Sequence, residues 1–229
     1  MLTCEAVTLA KGDFRLDATL EVPPGMTAVI GPSGGGKSTL LAAIAGFETP
    51  VAGRILWQGD DMAGLPPGAR PVTMLFQDHN LFPHLTVAQN VGLALAPRLR
   101  LGAAQSAQVA DALTAVGLEG LGDRKPGALS GGQAGRAALA RTLLADRPVV
   151  LLDEAFAALG PALRREMLAL VRDRLAGQGR TVIFVTHDPE DAHTFADRVI
   201  FVGQGVARPP QDTVPFFADP AAAVSAYLG

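Results

Sequence analysis

Thr27-Ala-Val-Ile30 runs into Gly31-Pro-Ser-Gly-Gly-Gly-Lys-Ser-Thr39, and Leu40-Leu-Ala-Ala-Ile-Ala45 follows. A short apolar strand, a glycine-rich turn and a helix in this order turn backbone N–H groups inward around an anion. The start of the helix adds a partial positive charge at the same place. The chain holds only three lysines, Lys11, Lys37 and Lys125. One of them stands where a compact ammonium reaches the β- and γ-phosphates of a nucleotide. Gly31, Pro32, Ser33, Gly34, Gly35, Gly36, Lys37, Ser38 and Thr39 are therefore expected to cradle a nucleoside triphosphate, with the Ser38 hydroxyl on Mg²⁺.

Working outward, strand-like and helical runs alternate, which predicts an α/β fold. Strands are expected at Leu2–Leu9, Phe14–Val22, Met26–Ile30, Arg54–Trp57, Val72–Phe76, Val149–Leu152, Thr181–Val185 and Val199–Val202. Val149–Leu152 and Thr181–Val185 are solidly apolar, as central parallel strands covered on both faces should be. Thr86-Val-Ala-Gln89 and Ser130-Gly-Gly-Gln133 have capping-box spacing, and Pro161 and Pro189 suit first helical positions. From about 86 to 125 the sequence is rich in Ala, Leu and Gln, which predicts a helical subdomain inserted into a core of about 1–85 and 126–229. The leading part reads as β-rich, and Asp212–Leu228 as two short helices punctuated by Pro215 and Pro220.

The 229 residues fit one large domain, and nearly half of them are apolar. A formal net charge of −3 with no basic segment argues against nucleic acid as partner. Cys4 is alone, so no internal disulfide is expected. The opening residues lack a secretion signal, and no apolar run approaches the length of a membrane span.

Two further motifs carry chemistry. Val149-Val-Leu-Leu-Asp-Glu154 is a buried strand ending in two carboxylates. Beside a phosphate cradle, Asp153 can hold Mg²⁺ and Glu154 can orient the attacking water or take its proton. Leu129-Ser-Gly-Gly-Gln133 opens a helix, so Ser130, Gly131, Gly132 and Gln133 lie at its positive end. An ordinary N-cap needs only Ser130; two glycines point to something approaching the backbone closely, for which a second phosphate contact is the natural candidate.

These three motifs, in this order and spacing, resemble the ATP-binding subunits of ABC transporters. The resemblance covers essentially the whole chain and implies a P-loop NTPase of the ABC ATPase type. It also implies a homodimer, in which Ser130–Gln133 of one copy closes on the ATP held by the other. On the same resemblance Gln77 is the glutamine that touches Mg²⁺ or the water, and His187 is the histidine that contacts the γ-phosphate. His79 and His84, in the Asp78–Leu85 loop, are expected to be solvated or to face a partner, and His193 to lie on a helix surface.

Some positions depart from the family pattern. Ala155 stands where a proline is usual, Ala157-Ala-Leu-Gly160 replaces a segment ending in aspartate, and Ala134-Gly135 replaces a basic-polar pair. Gly160 can cap the helix at Pro161 but offers no carboxylate to a second copy. Gly135 costs about 1 kcal/mol in a helix interior. No tyrosine precedes the cradle to stack on adenine; Phe14 is the nearest ring, with core packing as its alternative role.

The segment Arg70–Leu95 is especially similar to the thiamine-import members of the family. The resemblance implies an ATPase on the cytoplasmic face of the bacterial inner membrane. Its partners there are a transmembrane permease and a periplasmic binding protein. Leu81, Phe82, Leu85 and Val87 are expected either to receive a short helix of the permease or to pack in the core. Alternatives are the same ATPase with iron, polyamine, sulfate or molybdate as cargo, a soluble ABC-type ATPase outside transport, and a nucleotide sensor without turnover.

Overall fold

The structure is a computed structural model that describes residues 1–220, 224, 225 and 227. In chain order its elements are β1 (Leu2–Lys11), β2 (Phe14–Val22), β3 (Gly25–Ile30), α1 (Lys37–Ala45), β4 (Ala52–Trp57), β5 (Asp60–Asp61) and β6 (Val72–Leu75). Then come α2 (Val87–Gly92), α3 (Ala103–Ala115), α4 (Gly131–Leu144), β7 (Val149–Asp153), α5 (Pro161–Arg174) and β8 (Thr181–Val185). The last are α6 (Pro189–Phe195), β9 (Arg198–Gly203), β10 (Val206–Ala207), β11 (Gln211–Asp212) and α7 (Thr213–Ala218).

The strands join in the order β5-β4-β1-β2-β10-β9-β3-β8-β7-β6, with β11 beside β9. The run β9-β3-β8-β7-β6 is parallel, whereas β2-β1-β4-β5 is antiparallel. The two-residue β10 joins them, parallel to β2 and antiparallel to β9. All five residues of β8 and the first four of β7 are buried, as their uninterrupted apolar runs predict.

Period-two alternation sorts the parallel strands into two cores. Met26, Ala28, Ile30, Val150, Leu152, Val182 and Phe184 pack with α2 to α6 on one face. Val29, Val149, Leu151, Ile183 and Val185 pack with α1, β1 and β2 on the other. The phosphate-loop helix α1 is thus clamped between the parallel strands and the antiparallel layer. Its carboxyl end is closed by Gly46 in the left-handed conformation and by Arg70, whose guanidinium donates to the carbonyls of Ala43 at 2.8 Å and Ile44 at 2.9 Å.

Both capping boxes form, with Thr86 and Ser130 each accepting from the third helical amide. Pro161 and Pro189 open α5 and α6. Segment 86–125 holds α2 and α3 and no strand. The sequence pattern missed β5, β10 and β11, each two residues long and too short to show a period. Of the two helices expected over Asp212–Leu228, α7 is the first. In the second, Val224, Ser225 and Tyr227 are helical, and the remainder lies outside the described residues.

Candidate functional site

Strand register places the chemistry. Leu75 pairs with Leu152, Asp153 with Val185, and Val185 with Val29. One or two residues beyond these pairs, Gly31, His187, Glu154 and Gln77 come level along the carboxyl edge of β3, β8, β7 and β6. Ligands of open α/β sheets bind at this edge.

The phosphate loop is already wound around its own lysine. Lys37 is buried, and its Nζ donates to the carbonyl oxygens of Gly31 and Pro32, both at 2.9 Å. Gly31 has φ 144, and a Cβ there would lie 2.0 Å from the Val202 carbonyl oxygen. Gly36 has φ 102, and a Cβ there would strike the Phe14 ring at 2.7 Å. Both glycines are therefore required by close approach in a left-handed backbone. The first turn of α1 has no side-chain cap, which leaves its amides for an anion.

Ser38 Oγ donates to Asp153 Oδ1 at 2.8 Å. A hydroxyl and a carboxylate side by side form a hard-oxygen pair of the kind Mg²⁺ accepts, with the other positions left to waters and phosphate oxygens. The residues present therefore fit the ion, although no cluster of three or more His, Cys, Asp or Glu side chains occurs among the described residues. Burial pushes the Asp153 carboxyl up, with Glu154 adding to the effect and Ser38 and Lys37 opposing it. Burial lowers the Lys37 ammonium, with Glu154 and Asp153 acting the other way. A dication entering here would offset the penalty on Asp153, and a phosphate chain the penalty on Lys37.

Glu154 adopts φ 47, a left-handed conformation that costs a non-glycine residue about 1–2 kcal/mol. Such strain persists only where the surroundings over-determine it. Glu154, His187, Arg164 and Asp191 line one cavity with Phe156 and Phe184. His187 and Gln77 are exposed.

Sequence reasoning missed what holds His187. On α5, Arg164 pairs with Asp188 and, through Nε at 2.9 Å, with Asp191, which is 2% exposed. Asp188 also caps α6 through the Glu190 amide, and the Thr186 hydroxyl accepts from the Asp188 amide at 3.1 Å. The loop carrying His187 is thus tied down on both sides. Nothing local in the sequence links residue 164 to residues 188 and 191.

The segment expected to serve a second copy, Ser130–Gln133, is closed on itself. Ser130 and Gly131 are exposed, and the Ser130 hydroxyl accepts only from the Gln133 amide, at 3.3 Å. Among the described residues the hydrogen bonds of Ser130 and Gln133 stay within their own helix turn. The two glycines have different causes. A Cβ on Gly131 would meet open space, whereas one on Gly132 would lie 3.0 Å from Leu159. The close approach inferred for Gly132 is therefore made by this chain itself.

The loop after Gln77 also corrects an expectation. His84 is exposed, but His79 is half-buried, with its ring over Gly135 of α4. His193 lies exposed on α6, edge-on to Phe217 at 5.2 Å. Val87 is fully buried and Phe82 is 47% exposed, so the apolar group at Leu81–Val87 is divided between core and surface. Asn90 is fully buried and ties this loop down. Its Nδ2 donates to the Phe82 and Thr86 carbonyls at 3.1 and 2.9 Å, and its Oδ1 accepts from the Phe82 amide at 2.7 Å. Phe14 lies half-buried against the phosphate loop and lines a cavity with Lys11, Thr39, Glu48 and Thr49.

Residues 16–157 match the ABC transporter family model. The thiamine import ATP-binding protein ThiQ of Cereibacter sphaeroides is 60% identical over 230 residues, covering 100% of both chains. ThiQ of Ruegeria sp. (strain TM1040) is 51% identical over the same span, again covering 100% of each. Among solved structures, the dimeric bacterial ABC transporter cassette MJ0796 matches with a TM-score of 0.83 at 28% identity, covering 93% of this chain and 99% of that one. A post-hydrolysis dimer of the same cassette, bound to ADP and Pi, matches with the same figures.

Proposed function

The chain belongs to the ABC transporter family as one of its ATPases, and on that premise we propose that it powers thiamine import through a split ATP site. The observation that carries the cargo is full-length identity of 60% to a thiamine import ATP-binding protein. The proposal for the site rests on Lys37, Ser38, Asp153, Glu154 and His187 meeting at one sheet edge.

In this reading the amides of Gly34 to Thr39 receive the phosphate chain of ATP, and Lys37 exchanges its bonds to Gly31 and Pro32 for β- and γ-phosphate oxygens. Ser38, Asp153 and Gln77 would hold Mg²⁺, which would neutralise charge on the phosphates. Glu154 orients a water whose oxygen attacks the γ-phosphorus. As that P–O bond forms, the bond to the ADP oxygen breaks and the water proton passes to the Glu154 carboxylate. His187, held by Asp188 and Arg164, contacts the γ-phosphate. Phe14 and its cavity receive the base.

Among the described residues Ser130 and Gln133 bond only within their own helix turn, and MJ0796, similar in fold, is a dimer. We assign them to the ATP of a second copy, so that ATP draws two copies together and hydrolysis releases them. No helix among the described residues is long and apolar enough to cross a membrane. The similarity to thiamine import ATP-binding proteins supports a subunit that acts at the cytoplasmic face of the inner membrane through a permease, fed by a periplasmic binding protein. The exposed Phe82 and the Asn90-braced loop offer that permease a surface next to Gln77.

The test is purification of the membrane assembly with its binding protein, followed by mass identification of the trapped small molecule. Thiamine, with ATPase stimulation by the thiamine-loaded binding protein, is the expected result. Iron, a polyamine, sulfate or molybdate in its place overturns the cargo. A subunit recovered free of any membrane partner overturns the importer.

A further inference from the structure

Two oddities of the chain turn out to be one feature. The first is Gly135, inside α4 and only two residues past Gln133, where glycine weakens a helix. The second is the turn at His79 and Asn80, two successive non-glycine residues with φ 61 and 46. The His79 ring fills the space that a side chain on Gly135 would need. A Cβ there would lie 3.0 Å from Cε1, 3.3 Å from Nε2 and 3.5 Å from Nδ1. Among the described residues the buried Nδ1 has no hydrogen-bond partner, and the ring is packed on Gly135. Arg141, ten residues beyond the start of the same helix, fastens the turn: its guanidinium donates to the carbonyl oxygens of His79 at 3.1 Å and Asn80 at 2.9 Å.

We infer that His79 and Gly135 form a latch joining the loop that begins at Gln77 to the helix that begins at Ser130, so that the two halves of the ATP machinery in one chain move together. His79 is a positioning residue: it touches neither nucleotide nor metal. The turn is held from outside, by α4 at the ring and at two carbonyls. Any displacement of the Gln77 loop must carry the amino end of α4 with it or pull the ring off Gly135. The proposal rests on the site reading above for Gln77 and Ser130.

A cycle of four proteins tests it: parent, His79→Asn, Gly135→Ala and the double variant. Asparagine tolerates the left-handed turn, so His79→Asn removes the ring and keeps the backbone. Gly135→Ala alone should lower the Tm because the ring is displaced. In the His79→Asn background the same change should raise it, since alanine then only improves the helix. Amide exchange in His79→Asn should quicken at 77–81 and 131–136 together. Turnover should fall about fivefold or more, with the Kd for ATP within twofold of the parent. The latch is overturned if Gly135→Ala has the same sign in both backgrounds, if exchange quickens in the loop alone, or if turnover is unchanged. Gln77→Ala serves as the control: undiminished turnover there refutes the site reading, while the Tm cycle and the paired exchange still judge the latch.

Discussion

The phosphate loop and the amino end of α4 are both glycine-rich openings of a helix, yet they are in opposite states. The first is wired into its own chain, with Lys37 bonded to Gly31 and Pro32 and Ser38 bonded to Asp153. The second is closed on itself: Ser130 and Gln133 satisfy each other, and nothing stands opposite Gly131. On the proposed reading, a single copy carries the grip for a phosphate chain and only half of its enclosure. Binding should belong to the first region and commitment to hydrolysis to both. Because closure has to favour one arrangement over another, its driving force must come from contacts that exist only when the second region meets a γ-phosphate.

The largest effect expected is at the strained carboxylate. Glu154→Gln keeps the shape of the side chain and removes its ability to take a proton. Turnover should fall roughly 100-fold or more while ATP binding survives, and the closed dimer should accumulate on size exclusion. Parent-like phosphate release by this variant would show that the proton goes elsewhere. It would also leave the strain at residue 154 without a purpose.

Next is the grip itself. Lys37→Ala removes a charge-assisted contact of the kind that contributes about 1.5–3 kcal/mol. The Kd for ATP, measured by calorimetry on the lone subunit, should rise roughly 10- to 150-fold. Unchanged affinity would break the contrast, because the wired region would then not be the one that binds.

Ser130→Asp sharpens the contrast from the other side. Aspartate is as good an N-cap as serine, so stability should hold. The new charge would, however, face an incoming phosphate, a juxtaposition that costs several kcal/mol. ATP affinity of the lone subunit should match the parent, while dimer formation and turnover fall tenfold or more. Loss of affinity in the lone subunit would mean that α4 reaches the nucleotide of its own chain.

These two regions also mark how far the sequence could be read. The phosphate loop was legible because strand, turn and helix are contiguous and each residue has a local reason to be there. The caps at Thr86 and Ser130 were legible for the same reason, since a capping box spans only four residues. What escaped notice acts over distance. Arg164 meets Asp188 and Asp191, His79 meets Gly135, and Leu159 explains Gly132, and none of these pairs shares a period or a motif. The left-handed backbone at Glu154, His79 and Asn80 was equally hidden, because glycine is the usual signal for it.

The smallest effect concerns the residue that opens α5. Gly160 caps α5 with φ −63 and ψ 157, no side chain accepts from the first-turn amides, and a Cβ there would meet open space. Gly160→Asp therefore fits without strain and supplies the missing cap. Aspartate improves on glycine at this position by a few tenths of a kcal/mol, about 1 °C in Tm for a chain of this size. The same substitution restores a carboxylate where α5 begins, four residues before the Arg164 that anchors the His187 loop. If that carboxylate is what lets one ATP site sense the other, the ATP dependence of hydrolysis should steepen along with the gain in Tm. A higher Tm with unchanged steepness would place the coupling outside this segment.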